Sequence, residues 1–199
     1  MGPDTTPASE ISLAAWADQI AQVIRAQAEP VILVGHSRGG AIISEAAERE
    51  PSRVKTLVYL TAFLLPSGDS SLTLLSKHPV PNLFDNISSS GDGRSVFRSD
   101  AVGRVFYNTT EPEWVERAIA MLTPEPGAGG GTPLQLTAER FGSVPRAYIE
   151  CLRDEALPLA LQRLMHQAMP CDPVFTLDTD HSPFYSDPAG LSERLMSLA

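Results

Sequence analysis

The chain has 199 residues, 43% of them hydrophobic and 20% charged, the profile of one globular domain with a sizeable core. Its formal net charge of −9 argues against a nucleic-acid surface and against docking on an anionic membrane, since both depend on Lys and Arg. No apolar run approaches a bilayer span, no signal peptide is visible, and the two cysteines, Cys151 and Cys171, read as small buried hydrophobes of a reducing, cytoplasmic protein rather than as a disulfide framework.

In chain order, "MGPDTT" formally fits a myristoylation pattern, which Pro3 and Asp4 oppose. "SLAAWADQIAQVIRAQAEP" (12–30) predicts an amphipathic helix, with Leu13, Trp16, Ile20, Val23 and Ile24 on one face. "VILV" (31–34) is apolar on both sides, as in a strand covered by helices. "RGGAIISEAAERE" (38–50) is a second helix, stopped by Pro51. "VKTLVYLTA" (54–62) is a second buried strand. "RAYIECL" (146–152) and "PVFTLDT" (173–179) are shorter strand candidates. "PLALQRLMHQA" (158–168) and "PAGLSERLMSL" (188–198) are helices that each open on a proline. Alternating helices and strands indicate an α/β fold, with a mostly parallel sheet and helices on both faces.

Residues 66–144 break this rhythm. "SSSGDGRSVFRSD" is polar and turn-rich. "TEPEWVERAIAML" is a helix with a capping-box start, Thr110 to Glu113. "TPEPGAGGGTP" is an irregular connector. The expected organisation is a core of residues 1–65 and 145–199 and an insertion, 66–144, that carries binding surface.

Gly35-His36-Ser37-Arg38-Gly39 matches the nucleophile elbow G-x-S-x-G in its strand–turn–helix context. A side chain two positions either side of the serine is expected to collide with the neighbouring backbone. Ser37 stands at a helix N-terminus, where the Arg38 backbone N–H can stabilise an oxyanion. A plain glycine-rich turn is the bland reading; a phosphate loop lacks its lysine.

A serine nucleophile needs a base and an orienting acid. Among four histidines, His181 in "LDTDHSPF" directly follows the last strand. His36 is expected to point away from the hydroxyl, and His78 and His166 to be packing or surface residues. The acid is expected between serine and histidine in the chain. Asp154 in "YIECLRDEALP" fits, Glu155 competes, and Asp178 and Asp180 are expected to shape the histidine loop.

Four stretches carry a resemblance: "VILVGHSRGGAI", "VKTLVYLTAFLLPSG", "ERFGSVPRAYIECLRDEALPLALQ" and "DTDHSPF". The chain resembles the α/β-hydrolase superfamily, in its methylesterase and hydroxynitrile-lyase-like branch. The resemblance implies a triad of Ser37, Asp154 and His181, a cap over the site at about 66–144, small and largely apolar ester substrates, no cofactor and no metal. Family members have further strands before the elbow strand, and a His-Gly loop there gives a second oxyanion donor. Only 30 residues precede Val31 here, so the fold is expected to be an N-terminally truncated one. A lost donor typically costs about 10²–10³ in rate. Val31 to Val34 would then form a bare edge, a pairing hazard, implying a homo-oligomer along it or a chain start folded over it; an incomplete reading frame is the plainer alternative.

Hydroxynitrile lyases carry a lysine just after the catalytic histidine, where this chain has Ser182; that favours ester hydrolysis over lyase chemistry. Phe63, Leu64, Leu65 and Phe184 are candidates for an apolar pocket, with core packing equally open for each. Besides a carboxylic ester hydrolase, the chain could be a catalytically weak protein that binds a small apolar acid in the same pocket.

Overall fold

The structure, a computed structural model, describes residues 6–7, 10–91, 93–127 and 129–199. Residues 1–5 of the myristoylation pattern and part of any folded-over chain start lie outside the described residues.

Helix α1 (Leu13–Arg25) begins where the Ser12 hydroxyl accepts the Ala15 N–H at 3.1 Å, as a helix N-cap does. It buries Leu13, Trp16, Ala17, Ala21 and Ile24. Val23, expected on this face, is 59% exposed. The alanines explain the difference: their small side chains turn the close-contact stripe of α1 toward its neighbour helix. Strand β1 (Val31–Ser37) runs through the elbow to the serine itself and leads into α2 (Gly39–Arg49). After a short 3-10 turn comes β2 (Val54–Ala62).

The segment between β2 and the next strand of the same sheet holds α3 (Ser71–Lys77), α4 (Pro81–Phe84), β3 (Ile87–Ser89), β4 (Arg94–Phe97), α5 (Ser99–Phe106), α6 (Pro112–Met121) and β5 (Glu125–Pro126). The polar stretch around 88–100 is thus not only turns: β3 and β4 pair as an antiparallel hairpin that β5 extends. Its strands alternate little, because no residue of β3 or β4 is fully buried. The chain then returns through β6 (Arg146–Cys151), α7 (Leu159–Ala168), β7 (Val174–Leu177), α8 (Pro183–Ser186) and α9 (Pro188–Met196).

The main sheet is parallel throughout, in the order β1-β2-β6-β7. The core is split by side-chain alternation along its strands. Leu57, Tyr59 and Tyr148 face one cluster with α1, α2 and α7, while Val58, Leu60, Ala147, Ile149 and Cys151 face a second with Leu191 of α9. Helices therefore cover both faces. β1 is an edge of this sheet, with Val34 40% exposed. Leu64 and Leu65 are core residues, 0% and 1% exposed. Cys151 and Cys171 are unpaired. Among the described residues no helix is long and apolar enough to cross a membrane.

The elbow glycines divide their work differently from expectation. A Cβ on Gly35 would lie 2.8 Å from the Gly39 carbonyl oxygen, but one on Gly39 meets nothing within 4 Å. Gly40 is the tighter site: its Cβ would stand 2.4 Å from the Phe63 carbonyl oxygen, because α2 enters directly over the end of β2. Gly40→Ala is expected to destabilise the fold by about 1–3 kcal/mol. Gly39→Ala is expected to be neutral or to gain up to about 1 kcal/mol from helix propensity. Chemical denaturation of the two variants side by side checks this, and equal losses would contradict it.

Candidate active site

Ser37 ends β1 in the left-handed region, at φ 53°. Non-glycine residues are uncommon there, and such strain clusters at functional sites. The turn lifts the side chain off the strand and starts α2 one residue after Arg38, whose backbone is already helical. Nearby N–H groups of the helix start thus face the serine end of the turn. The Arg38 side chain reaches outward, pairing with Glu125 at 2.7 Å, donating to the Pro126 carbonyl at 3.0 Å and lying 4.9 Å over the Trp16 ring. It ties the elbow to β5. The Ser37 hydroxyl makes no hydrogen bond among the described residues.

Next to the elbow, β2 carries an irregularity. His36 pairs with Leu60 and Ser37 with Ala62, so Thr61 is skipped in the register. Thr61 sits at φ 35°, a real outlier for a β-branched residue, with strain of about 1–3 kcal/mol. The Tyr148 hydroxyl clamps the strand end, accepting the Ala62 N–H at 3.1 Å and donating to the Ala62 carbonyl at 3.0 Å. The bulge turns the Thr61 hydroxyl onto Asp154, to whose Oδ2 it donates.

Asp154 follows β6 and is 5% exposed. Its Oδ1 accepts the Ala156 and Leu157 N–H groups, both at 2.7 Å. Its Oδ2 lies 2.6 Å from His181 Nδ1. A carboxylate only accepts, so the imidazole proton sits on Nδ1 and the lone pair on Nε2. Glu155 is exposed and accepts from Asn82 instead, at 3.0 Å. Asp178 is an exposed partner of Arg153. Asp180 is fully buried in the histidine loop. His166 pairs with the buried Glu150 at 2.8 Å, as a packed structural histidine does.

His36 departs from expectation. Its Nε2 lies 2.7 Å from the His181 carbonyl and must donate to it; its ring is 4.5 Å from the His181 ring and edge-on to Phe184 at 5.2 Å. Far from pointing away, it links the residue before Ser37 to the backbone of His181. The rise of β1 into the elbow aims it there. On the other side Phe106, at the end of α5, stacks obliquely on His181 at 5.5 Å. The structure thus joins Asp154 and His181 directly; Ser37 makes no hydrogen bond to either among the described residues, and its neighbour His36 is what meets the His181 backbone. No group of three or more His, Cys, Asp or Glu among the described residues is arranged to hold a metal ion.

Burial, and then the facing His181, push the His36 imidazole down to about 3, against the raising effect of its carbonyl bond. In the unfolded chain it titrates near 6.5. As pH falls below about 6.5 the unfolded state takes up a proton that the folded state refuses, so stability drops until about pH 3. The urea midpoint is expected to fall with acid more steeply in the wild type than in His36→Gln, which keeps an N–H donor but does not titrate. Parallel profiles would contradict it.

The sequence profile of the Alpha/beta hydrolase family matches residues 1–194. The chain belongs to the alpha/beta hydrolase family. Within it, the chain falls in the methylesterase-like branch. It is 31% identical to Methylesterase 1 of Arabidopsis thaliana over 86% of this chain and 70% of that one. It is 30% identical to a pyrethroid hydrolase of Sphingobium wenxiniae over 96% of this chain and 71% of that one. A solved pyrethroid hydrolase from Sphingobium faniae superposes with a TM-score of 0.85 at 30% identity, over 98% of this chain and 80% of that one. The first three Arabidopsis relatives named for methylesterase activity are longer: the chain spans 41%, 46% and 41% of their length.

Proposed function

We propose that this chain is a carboxylic ester hydrolase acting on small, largely apolar esters. Ser37 attacks the ester carbonyl and His181 Nε2 takes its proton. Asp154 holds the imidazole in the required tautomer, and the Arg38 backbone N–H supports the oxyanion. The alcohol leaves with the proton held on His181. Water, deprotonated by the same imidazole, then cleaves the acyl-enzyme. No cofactor enters these steps.

The observation that carries the reading is the 2.6 Å contact between Asp154 and His181, set against a strained serine one residue from His36. Residues 66–144 act as a cap, with Phe106 on His181 as its inner surface. Phe106 and Phe184 favour an apolar acyl or alkoxy group. Relatives named methylesterase and pyrethroid hydrolase support esters as the substrate class.

A second reading is a weakly catalytic binder of a small apolar acid, favoured by the Ser37 hydroxyl having no hydrogen-bond partner among the described residues. A chromogenic short-chain ester decides between the two. Turnover that depends on Ser37 is the expected result; tight binding of a carboxylic acid with no turnover would favour the binder.

A further inference from the structure

Asp180 is a buried carboxylate that the reaction above does not use. It is 0% exposed, and none of the ion pairs among the described residues includes it. A buried charge without a cation is retained only where several donors satisfy it. Asp180 has four. Its Oδ2 accepts the Thr109 N–H at 2.9 Å and the Thr110 hydroxyl at 2.8 Å. Its Oδ1 accepts the Ser182 N–H and the Ser186 hydroxyl, each at 2.9 Å. In return, the Asp180 N–H donates to the Thr109 hydroxyl at 3.0 Å.

These bonds bracket His181. The N–H of the residue before it is held by the Thr109 hydroxyl, its own carbonyl by His36, and the N–H after it by the Asp180 carboxylate. Two of the three run through Asp180, and Asp180 rests on the turn between α5 and α6. The same turn sends the Asn108 amide to the Arg153 carbonyl at 3.1 Å, beside Asp154. It also lays Phe106 on the imidazole. One short turn of the insertion is therefore stapled to both the acid loop and the base loop.

We propose that Asp180, with Thr109 and Thr110, is a positioning unit for His181, so that the 106–110 turn is part of the mounting of the base and not a freely moving lid. The proposal rests on the ester-hydrolase reading. It explains why Thr110 does not cap α6: its hydroxyl is committed to Asp180, and Glu111 occupies the cap position without a side-chain bond.

Thr110→Val removes the hydroxyl at nearly constant size, and Thr110→Ser restores it. Asn82→Ala serves as a control, breaking another contact between insertion and core, the bond to Glu155, along with the Arg104 bond inside the insertion. On a chromogenic short-chain ester, Thr110→Val is expected to lower kcat about tenfold with KM within about twofold, as small misplacements of a catalytic group do. Thr110→Ser returns kcat to within about twofold of wild type, and Asn82→Ala leaves it unchanged. An unchanged kcat in Thr110→Val, while Ser37→Ala is inactive, overturns the positioning role and leaves the hydrolase reading standing. Failed rescue by serine, or an equal loss in Asn82→Ala, overturns it as well. Hydrolysis independent of Ser37 removes the hydrolase reading and this role with it.

Discussion

Ser37→Ala is expected to lower ester turnover by roughly 10⁴–10⁶-fold, the loss typical when the nucleophile of a cooperating set is removed. Its effect on folding is expected to be small. Alanine keeps the Cβ, so the cost of the left-handed turn at φ 53° carries over unchanged. The hydroxyl makes no hydrogen bond among the described residues, so no buried partner is left unsatisfied by its loss. A stability change within about 0.5 kcal/mol follows. Rate and stability should therefore separate cleanly, as they do not for a residue whose role is packing. A phosphonofluoridate probe gives a second readout: it should label wild-type protein at Ser37 and leave the alanine variant unlabelled. Turnover in Ser37→Ala within tenfold of wild type would sink the serine mechanism whatever the fold.

The layered architecture was legible because the buried strands carry apolar residues on both faces. Val58 and Leu60 look to one cluster, Leu57 and Tyr59 to the other, and only a sheet with helices on both sides asks for that. The elbow was legible from its glycines, although the steric demand at Gly40 was not, since it arises from the distant Phe63 carbonyl. Chain order singles out Asp154 and His181, which lie 2.6 Å apart. The support around them was hidden. "VKTLVYLTA" shows no sign of a bulge, so neither the φ of Thr61 nor its bond to Asp154 could be read. The direction of His36 depends on how far β1 runs before it turns. The hairpin of β3 and β4 was missed for want of a buried face, and the capping role read for Thr110 failed because a buried carboxylate outcompetes a helix end for a hydroxyl. Apart from that local hairpin, what escaped is contact between residues far apart in the chain, such as Thr61 with Asp154, His36 with His181 and Thr110 with Asp180.

Asp154→Asn is expected to lower kcat by roughly 10⁴-fold while the protein still folds. The reason lies in the four donors around the carboxylate. Oδ1 receives two backbone N–H groups, from Ala156 and Leu157; Oδ2 receives the Thr61 hydroxyl and His181 Nδ1. An asparagine must turn its NH₂ toward one pair. Facing the backbone pair would leave two buried N–H groups without acceptors, at about 1–3 kcal/mol each. Facing the other pair is cheaper, because both partners can reverse: the threonine hydroxyl rotates to accept, and the imidazole moves its proton from Nδ1 to Nε2. The backbone thus forces the amide into the orientation that inverts the tautomer of His181. Nε2 then carries a proton and cannot take one from Ser37. Nitrogen-15 NMR of His181 should show the proton on Nδ1 in the wild type and on Nε2 in the variant. A variant with the wild-type tautomer and kcat within tenfold would show that Asp154 does not orient the base.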